Sequence, residues 1–128
     1  MTRIEKQKNR MKTVLVVDDE TDVREMVEEM IADMGYRVRS VSNGRAAQDL
    51  MASTAVDLVI SDVRMKDMDG LALARWIRAR FPRTPMALMT AFPSDDLKSM
   101  LRRRVVNSLL LKPFQIKELQ GVVQNLTR

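Results

Sequence analysis

The chain has 128 residues, a length that suits one domain and can bury a hydrophobic core without disulfides or a structural metal. Hydrophobic residues make up 45% and charged residues 30%, and no apolar run is long enough to span a membrane. The absence of cysteine and histidine excludes disulfides, thiol chemistry and Cys/His zinc sites. Any metal would therefore bind oxygen ligands, as Mg²⁺, Mn²⁺ and Ca²⁺ do. With no secretory signal and no cysteine, the sequence favours the cytoplasm.

The net charge of +5 is unevenly distributed. Residues 1–12 hold five basic residues against one acidic residue, which gives +4 and leaves about +1 for the remainder. We predict a flexible basic leader over residues 1–11 and one domain over residues 12–128. Such a leader is usually solvated, although contact with nucleic acid or an acidic partner is the alternative.

In chain order, residues 14–17 read VLVV, which is typical of a strand buried on both faces. Residues 20–34 place apolar side chains at helical spacing, and Gly35 is expected to end that helix. Residues 36–41 predict a more polar strand at a sheet edge. The Asn-Gly turn signal at residues 43–44 then precedes a short helix.

The third predicted strand covers residues 57–61. Asp69 and the glycine after it open a helix that runs to about Arg80. The fourth predicted strand covers residues 85–89. Together with the preceding elements, these segments continue a strict alternation of strand and helix.

Ser94 is a predicted N-cap for a helix near residues 95–103, and residues 108–111 form the fifth predicted strand. Apolar residues at helical spacing mark the last helix: Leu119, Val122, Val123 and Leu126. Five apolar strands alternating with five helices predict an α/β fold with a doubly wound parallel sheet. In such sheets ligands bind beyond the carboxyl ends of the strands.

Polar side chains stand at four of those strand ends. Asp18 and Asp19 follow the first strand, Asp62 the third, Thr90 the fourth and Lys112 the fifth. Singly, each has an ordinary explanation as a cap or loop residue, but their joint order favours one site. Carboxylates packed together repel one another, and a divalent cation such as Mg²⁺ removes that cost. A carboxylate can also attack a phosphoryl group, whose charge a lysine, a hydroxyl and Mg²⁺ then stabilise.

The order and spacing resemble the receiver domains of two-component response regulators over roughly residues 12–127. The resemblance is carried by residues 16–20 (VVDDE), 62–70 (DVRMKDMDG), 90–91 (TA) and 112–114 (KPF). It implies a flavodoxin-like fold, a five-stranded sheet in the order 2-1-3-4-5. It also implies that Asp62 accepts a phosphoryl group from a sensor histidine kinase or phosphotransfer protein. Such a domain is no enzyme beyond catalysing its own phosphorylation and dephosphorylation.

The resemblance also implies the metal ligands. Asp19 and Asp62 would bind Mg²⁺ directly, or alternatively Mn²⁺, with the backbone carbonyl of Arg64 as a further ligand. Asp18 would act mainly through water.

The remaining implied roles concern the phosphoryl group. Lys112 would pair with the Asp62 carboxylate and then with the phosphoryl group, and Thr90 would hydrogen-bond a phosphoryl oxygen. The Lys112–Pro113 bond is expected to be cis.

Three positions depart from the family pattern. Leu109 stands where receivers usually carry Tyr or Phe, Val105-Val106 replaces a Gly-Ala pair, and Lys66 replaces a proline. We therefore expect intact phosphorylation chemistry with an altered switch. The departures cluster near the face of the fourth helix, fifth strand and fifth helix, which is the common output face and a candidate for dimerisation.

Arg64 and Phe92 border the expected site, and their bulk predicts slow attack by water and a long-lived phosphoryl state. Two alternative functions stay open: a degenerate interaction module that is independent of phosphorylation, or the receiver part of a larger DNA-binding or enzymatic regulator. The sequence does not identify the output partner. An aspartyl-phosphate phosphatase is disfavoured because Glu20 breaks the Asp-x-Asp motif. DNA binding through Arg102–Arg104 lacks a recognition-helix motif, so specific readout is not expected.

Overall fold

A computed structural model describes residues 11–128, so the predicted leader lies outside the described residues except for Met11. The strands are β1 (Thr13–Val17), β2 (Arg37–Val41), β3 (Leu58–Asp62), β4 (Met86–Thr90) and β5 (Ser108–Leu111). The helices are α1 (Thr21–Asp33), α2 (Gly44–Ser53), α3 (Gly70–Arg80), α4 (Asp95–Arg102) and α5 (Ile116–Leu126). Across residues 11–128, no helix is long and apolar enough to cross a membrane.

The five strands form one parallel sheet in the order β2-β1-β3-β4-β5, which confirms the predicted fold class and strand order. In the register, Val17 pairs with Ser61 and Thr90 pairs with Leu111. The carboxyl ends of β1, β3, β4 and β5 therefore meet at one edge of the sheet. As predicted, the polar strand β2 lies at a lateral edge.

The hydrophobic core has two layers, one on each face of the sheet, because side chains alternate along a strand. Leu15 and Val17 of β1 face a cluster that α2, α3 and α4 cover. Val14 and Val16 face a second cluster that α1 and α5 cover. The predicted apolar stripe of α1 is only partly buried, since Met26 is exposed.

Two strands begin and end one residue later than the sequence predicts. Backbone pairing continues past the apolar run, so Asp62 pairs with Met89 as the last residue of β3. Thr90 likewise belongs to β4, because it pairs with Leu111 of β5. The polar residues at these strand ends are thus fixed by the sheet itself.

Side-chain caps fix the starts of three helices. Asn43 Oδ1 accepts a hydrogen bond from the backbone N–H of Ala46 (2.8 Å), and Asp69 Oδ1 accepts one from Ala72 (2.7 Å). Ser94 Oγ accepts one from Leu97 (3.1 Å), which confirms its predicted role.

The end of α4 departs from the usual pattern because a left-handed residue there is not glycine. Arg104 has φ 60°, and its N–H donates to the Leu101 carbonyl while Val105 N–H donates to the Met100 carbonyl. This pair of bonds is the Schellman motif, in which glycine normally occupies the left-handed position, as Gly35 (φ 96°) does after α1.

Arg104→Gly should therefore stabilise the protein. Removing Cβ relieves about 1–2 kcal/mol of left-handed strain, and the extra flexibility of glycine in the unfolded chain cancels about 0.5–1 kcal/mol of that. We expect the free energy of unfolding in urea to rise by about 0.5–1 kcal/mol. Arg103→Gly is the matched control, since Arg103 has φ −85° and should lose stability instead. A loss of stability in both variants would contradict the prediction.

Candidate functional site

Three aspartates form an acidic cluster where the first and third strands end. Carboxylate oxygens of Asp18, Asp19 and Asp62 all lie within 4.8 Å of one another. β1 and β3 are neighbours in the sheet, so Asp18 and Asp19 after one strand face Asp62 at the end of the other. At this spacing three negative charges repel strongly unless a cation or a proton is shared among them.

Lys112 lies against this cluster from the β5 side. Its Nζ is 3.3 Å from Asp62 Oδ1 and 3.9 Å from Asp18 Oδ2. The backbone N–H of Lys112 donates to the Thr90 carbonyl (2.8 Å), and the Lys112–Pro113 peptide bond is cis, as predicted. Asp62 Oδ1 also accepts from the N–H of Val63 (2.9 Å), so its carboxylate is oriented by a backbone and a side-chain partner.

Asp18 is the most deeply buried member of the cluster. One of its oxygens accepts from the Glu20 N–H (2.9 Å), while Oδ2 is buried without a hydrogen-bond partner among the described residues. Burial raises the pKa of the Asp18 carboxyl, and the neighbouring Asp62 carboxylate adds to that rise. The Glu20 N–H and the Lys112 ammonium oppose it without cancelling it.

The donor set fits a hard divalent cation. Mg²⁺ prefers carboxylate and carbonyl oxygens, and Mg²⁺ binding would neutralise a cluster in which one buried oxygen lacks a hydrogen-bond partner. Asp19 is the more exposed of the adjacent pair and Asp18 the fully buried one. This difference suits direct ligation by Asp19 and a deeper, indirect role for Asp18.

A cavity of about 190 Å³ opens beside Asp62. Its lining residues include Thr90, Arg64 and Phe92, together with Glu20, to which the sequence assigned no role in the site. The Thr90 hydroxyl accepts from the Phe92 N–H (3.3 Å), so it is held at the cavity wall. Phe92 is 80% exposed and Arg64 is also exposed, which leaves both free to cover the opening.

Two further residues shape the site, although no role in it was predicted for them from the sequence. A Cβ on Gly70 would collide with the Asp62 backbone carbonyl, so only glycine lets the start of α3 approach this strand end so closely. The guanidinium of Arg24 donates through Nη1 to the Asp18 carbonyl (2.8 Å), which ties α1 to the turn carrying the aspartates. Both depend on approaches across the fold, and no local pattern predicts them.

Leu109 is partly buried and packs against the core cluster beneath α2, α3 and α4. It belongs to β5 and pairs with Leu88 of β4. It leaves no aromatic side chain at this position.

The family model of the response regulator receiver domain matches residues 14–124. The chain belongs to that family. The match includes Asp18, Asp19, Asp62, Thr90 and Lys112.

Relatives and solved structures agree with the family. The chain is 36% identical over 111 residues to the regulatory protein AtoC of Escherichia coli, covering 87% of this chain and 24% of AtoC. The receiver therefore spans about a quarter of that relative's length. The chemotaxis protein CheY4 of Vibrio cholerae is 30% identical with a TM-score of 0.85, covering 91% of this chain and 99% of CheY4. TrrA of Thermotoga maritima, solved with Mg²⁺–BeF, is 34% identical with a TM-score of 0.81, covering 91% and 99%.

Asp18→Asn should stabilise the protein at pH 7 in the presence of a chelator. It removes a buried carboxylate charge, and we expect the free energy of unfolding to rise on the order of 1 kcal/mol. The pKa of Asp18 is raised in the folded protein, so the folded protein holds this proton more tightly than the unfolded chain does. The resulting stabilisation of the fold is fully present below the ordinary pKa of the carboxyl and is lost as pH rises through the raised pKa. The advantage of the variant should therefore shrink as pH falls below neutral.

Urea unfolding of both proteins with chelator, from neutral to mildly acidic pH, measures this difference. Adding Mg²⁺ should stabilise the wild type more than the variant, because binding to the folded state adds stability by mass action. Asp49→Asn is the control, since Asp49 is an exposed carboxylate on α2. An advantage that is absent at pH 7, or that grows as pH falls, would contradict the prediction.

Proposed function

We propose that residues 12–128 are a phosphorylation-controlled receiver and that residues 1–11 are its basic leader. Asp62 accepts a phosphoryl group from a cytoplasmic sensor histidine kinase or phosphotransfer protein. The observation that carries this proposal is the position of Asp62, between the ammonium of Lys112 at 3.3 Å and the carboxylates of Asp18 and Asp19, beside an open cavity.

The chemistry is a transfer of one phosphoryl group. An Asp62 carboxylate oxygen attacks phosphorus, the bond from phosphorus to the donor nitrogen or oxygen breaks, and an aspartyl phosphate forms. Mg²⁺, or alternatively Mn²⁺, when bound, would offset the negative charge that this transfer concentrates at the site. Asp19, Asp62 and the Arg64 carbonyl are the proposed ligands, with Asp18 acting through water. The similar protein TrrA was solved with Mg²⁺–BeF, which supports Mg²⁺ as the cation.

Lys112 and Thr90 have separate roles in the transfer. The Lys112 ammonium first forms an ion pair with the Asp62 carboxylate and then with a phosphoryl oxygen, since its Nζ already faces Asp62 Oδ1. Thr90 turns its hydroxyl from the Phe92 backbone toward a phosphoryl oxygen. The domain thus catalyses its own phosphorylation and the hydrolysis of its own aspartyl phosphate, and no other reaction.

Incubation with acetyl phosphate and Mg²⁺ should add one phosphoryl group, visible by intact mass spectrometry. Asp62→Asn should abolish the adduct, and a chelator should prevent it, because the carboxylate is the nucleophile and the cation offsets its charge. Asp69→Asn is the matched control, since Asp69 caps α3 and lies outside the cluster. An unmodified wild-type protein would instead support a degenerate receiver that acts independently of phosphorylation.

We propose a slow loss of the phosphoryl group, because Phe92 and Arg64 line the cavity through which water must reach phosphorus. Phe92→Ala should increase the dephosphorylation rate by a factor of about 3 to 10, or roughly 0.7–1.4 kcal/mol of activation free energy. The rate follows from the decay of the mass adduct after the phosphodonor is removed.

Ile116→Ala is the control for this rate. Ile116 is another exposed hydrophobic residue, but it lies at the start of α5 and does not line the cavity. Equal decay in wild type and Phe92→Ala would count against gating by Phe92.

The output surface is proposed to be the face of α4, β5 and α5, which would bind an unidentified partner or a second copy. Leu109 lies in this region and packs on the core, so no aromatic ring is present to move inward when Thr90 shifts. Because the chain covers 24% of AtoC, a receiver within a larger DNA-binding or enzymatic regulator is the alternative arrangement. Specific nucleic-acid readout by these residues alone is not proposed.

Amide NMR with and without beryllofluoride and Mg²⁺ tests this altered switch. We expect shifts around Asp62 and Thr90 but small changes from Val105 to Leu111, because the aliphatic Leu109 has no inward position to exchange with. Leu109→Tyr should enlarge the changes in that segment. Equally large changes in the wild type and in Leu109→Tyr would show that the switch operates without an aromatic residue.

A further inference from the structure

Positive and negative charges are unevenly distributed along residues 11–128. Residues 71–107 contain eight basic residues against two acidic ones, a net charge of +6. The other described residues, 11–70 and 108–128, contain ten basic against fourteen acidic residues, a net charge of −4. The positive charge is therefore concentrated in α3, β4, α4 and the loops that join them.

Most of this charge lies at one place, the edge of the sheet where β4 and β5 begin. Arg78 shows how the loops meet there: its guanidinium donates to the carbonyls of Pro82 and Val105 and to Asn107 Oδ1. Asn107 Oδ1 also accepts from the Met86 N–H (2.9 Å) at the start of β4. The C-terminal ends of α3 and α4 are thus brought to the same edge, opposite the carboxyl edge that carries Asp62.

Five exposed arginines project from this region, and we name them the basic edge: Arg80, Arg83, Arg102, Arg103 and Arg104. None of them forms an ion pair with a described residue, since the pairs within residues 11–128 are Arg45–Asp49 and the contacts of Lys112. Cations at helix C-termini are favourable to the helix dipole, which accounts for Arg80 and Arg102. It does not account for Arg83 or Arg104.

The backbone conformation of Arg104 is a second, independent indication that the basic edge binds a partner. It adopts φ 60°, a conformation that costs a non-glycine residue about 1–2 kcal/mol and that glycine would adopt without strain. Its side chain is exposed and has no partner within residues 11–128 that offsets this cost. The Schellman motif explains why a left-handed residue stands here but not why that residue is an arginine, and strain that glycine would remove points to a side chain used in an interaction.

The composition of the basic edge distinguishes two kinds of partner. A protein interface needs a central apolar anchor, with charges at its rim. The large exposed hydrophobic side chains of residues 11–128 all lie outside the basic edge and its loops: Met11, Met26, Phe92, Leu111 and Ile116. A surface of one sign, rich in arginine and without such an anchor, fits a phosphate backbone instead.

We propose that the basic edge binds the phosphate backbone of a nucleic acid without reading its sequence. The binding is electrostatic and lies on the opposite edge of the sheet from Asp62. It therefore goes beyond the phosphorylation proposed above and does not depend on it.

The test is fluorescence anisotropy of the full chain with labelled DNA duplexes of two unrelated sequences, between about 25 and 200 mM salt, the range in which phosphate contacts weaken steeply. The edge variant is Arg102→Gln/Arg103→Gln/Arg104→Gly, whose third change is expected to favour folding. The matched control is Arg37→Gln/Arg39→Gln/Lys117→Gln, which removes the same charge from exposed positions on β2 and α5. All proteins keep the basic leader, so its contribution is common to them, and urea unfolding verifies that each is folded.

We expect equal affinity for both duplexes. The slope of log affinity against log salt should fall by about 0.9 for each phosphate that the edge variant no longer neutralises. The control should keep most of the wild-type slope, and Asp62→Asn should bind like the wild type. Binding that is absent at about 25 mM salt, or weakened equally in edge variant and control, would overturn the proposal. Poly-glutamate competing as well as DNA, charge for charge, would overturn the nucleic-acid assignment in favour of an acidic protein surface.

Discussion

The repulsion among three carboxylates at one sheet edge is the constraint on which the site depends. Asp18, Asp19 and Asp62 bring three carboxylates to one place, and Asp18 also lies in the interior. Lys112 offsets part of this charge, and the pKa of Asp18 stays raised despite it. A divalent cation would relieve this repulsion, whereas the negative charge of a phosphoryl group would add to it. We therefore regard cation binding at this cluster as a condition for the proposed phosphorylation.

The parallel sheet makes that arrangement rigid. β3 and β4 each end in backbone pairing that includes the polar residue, so Asp62 and Thr90 have their positions set by β3, β4 and β5. Gly70 then allows α3 to begin against the Asp62 carbonyl, where any larger residue would collide. The exposed Phe92 lies at the rim of the cavity, where we expect it to control the access of water.

The opposite end of the same sheet is organised differently. There Arg78 joins the loops before β4 and β5 through three hydrogen bonds, and Arg104 closes α4 in a strained conformation. Val105-Val106 and Leu109, where the resemblance to receivers leads us to expect small and aromatic residues, lie just before and within β5. The segment that would transmit a signal from Thr90 is therefore held by packing and hydrogen bonds, which is consistent with an altered switch.

The sequence alone determined the architecture and the position of the site. The alternation of apolar strands and helices predicted the doubly wound sheet. A strand buried on both faces is a continuous apolar run, and the helices that cover it have apolar residues at helical spacing. The order of Asp18, Asp19, Asp62, Thr90 and Lys112 at strand ends located the site, since parallel strands bring those ends together. Only the tertiary structure decided how these groups meet. The orphaned Asp18 oxygen, the contact of Gly70 with Asp62 and the Arg24 and Arg78 hydrogen bonds join residues distant in sequence or depend on backbone approach. No local pattern encodes such contacts, and the same holds for the left-handed Arg104, whose strain appears only where α4 is stopped by the packing of its loop.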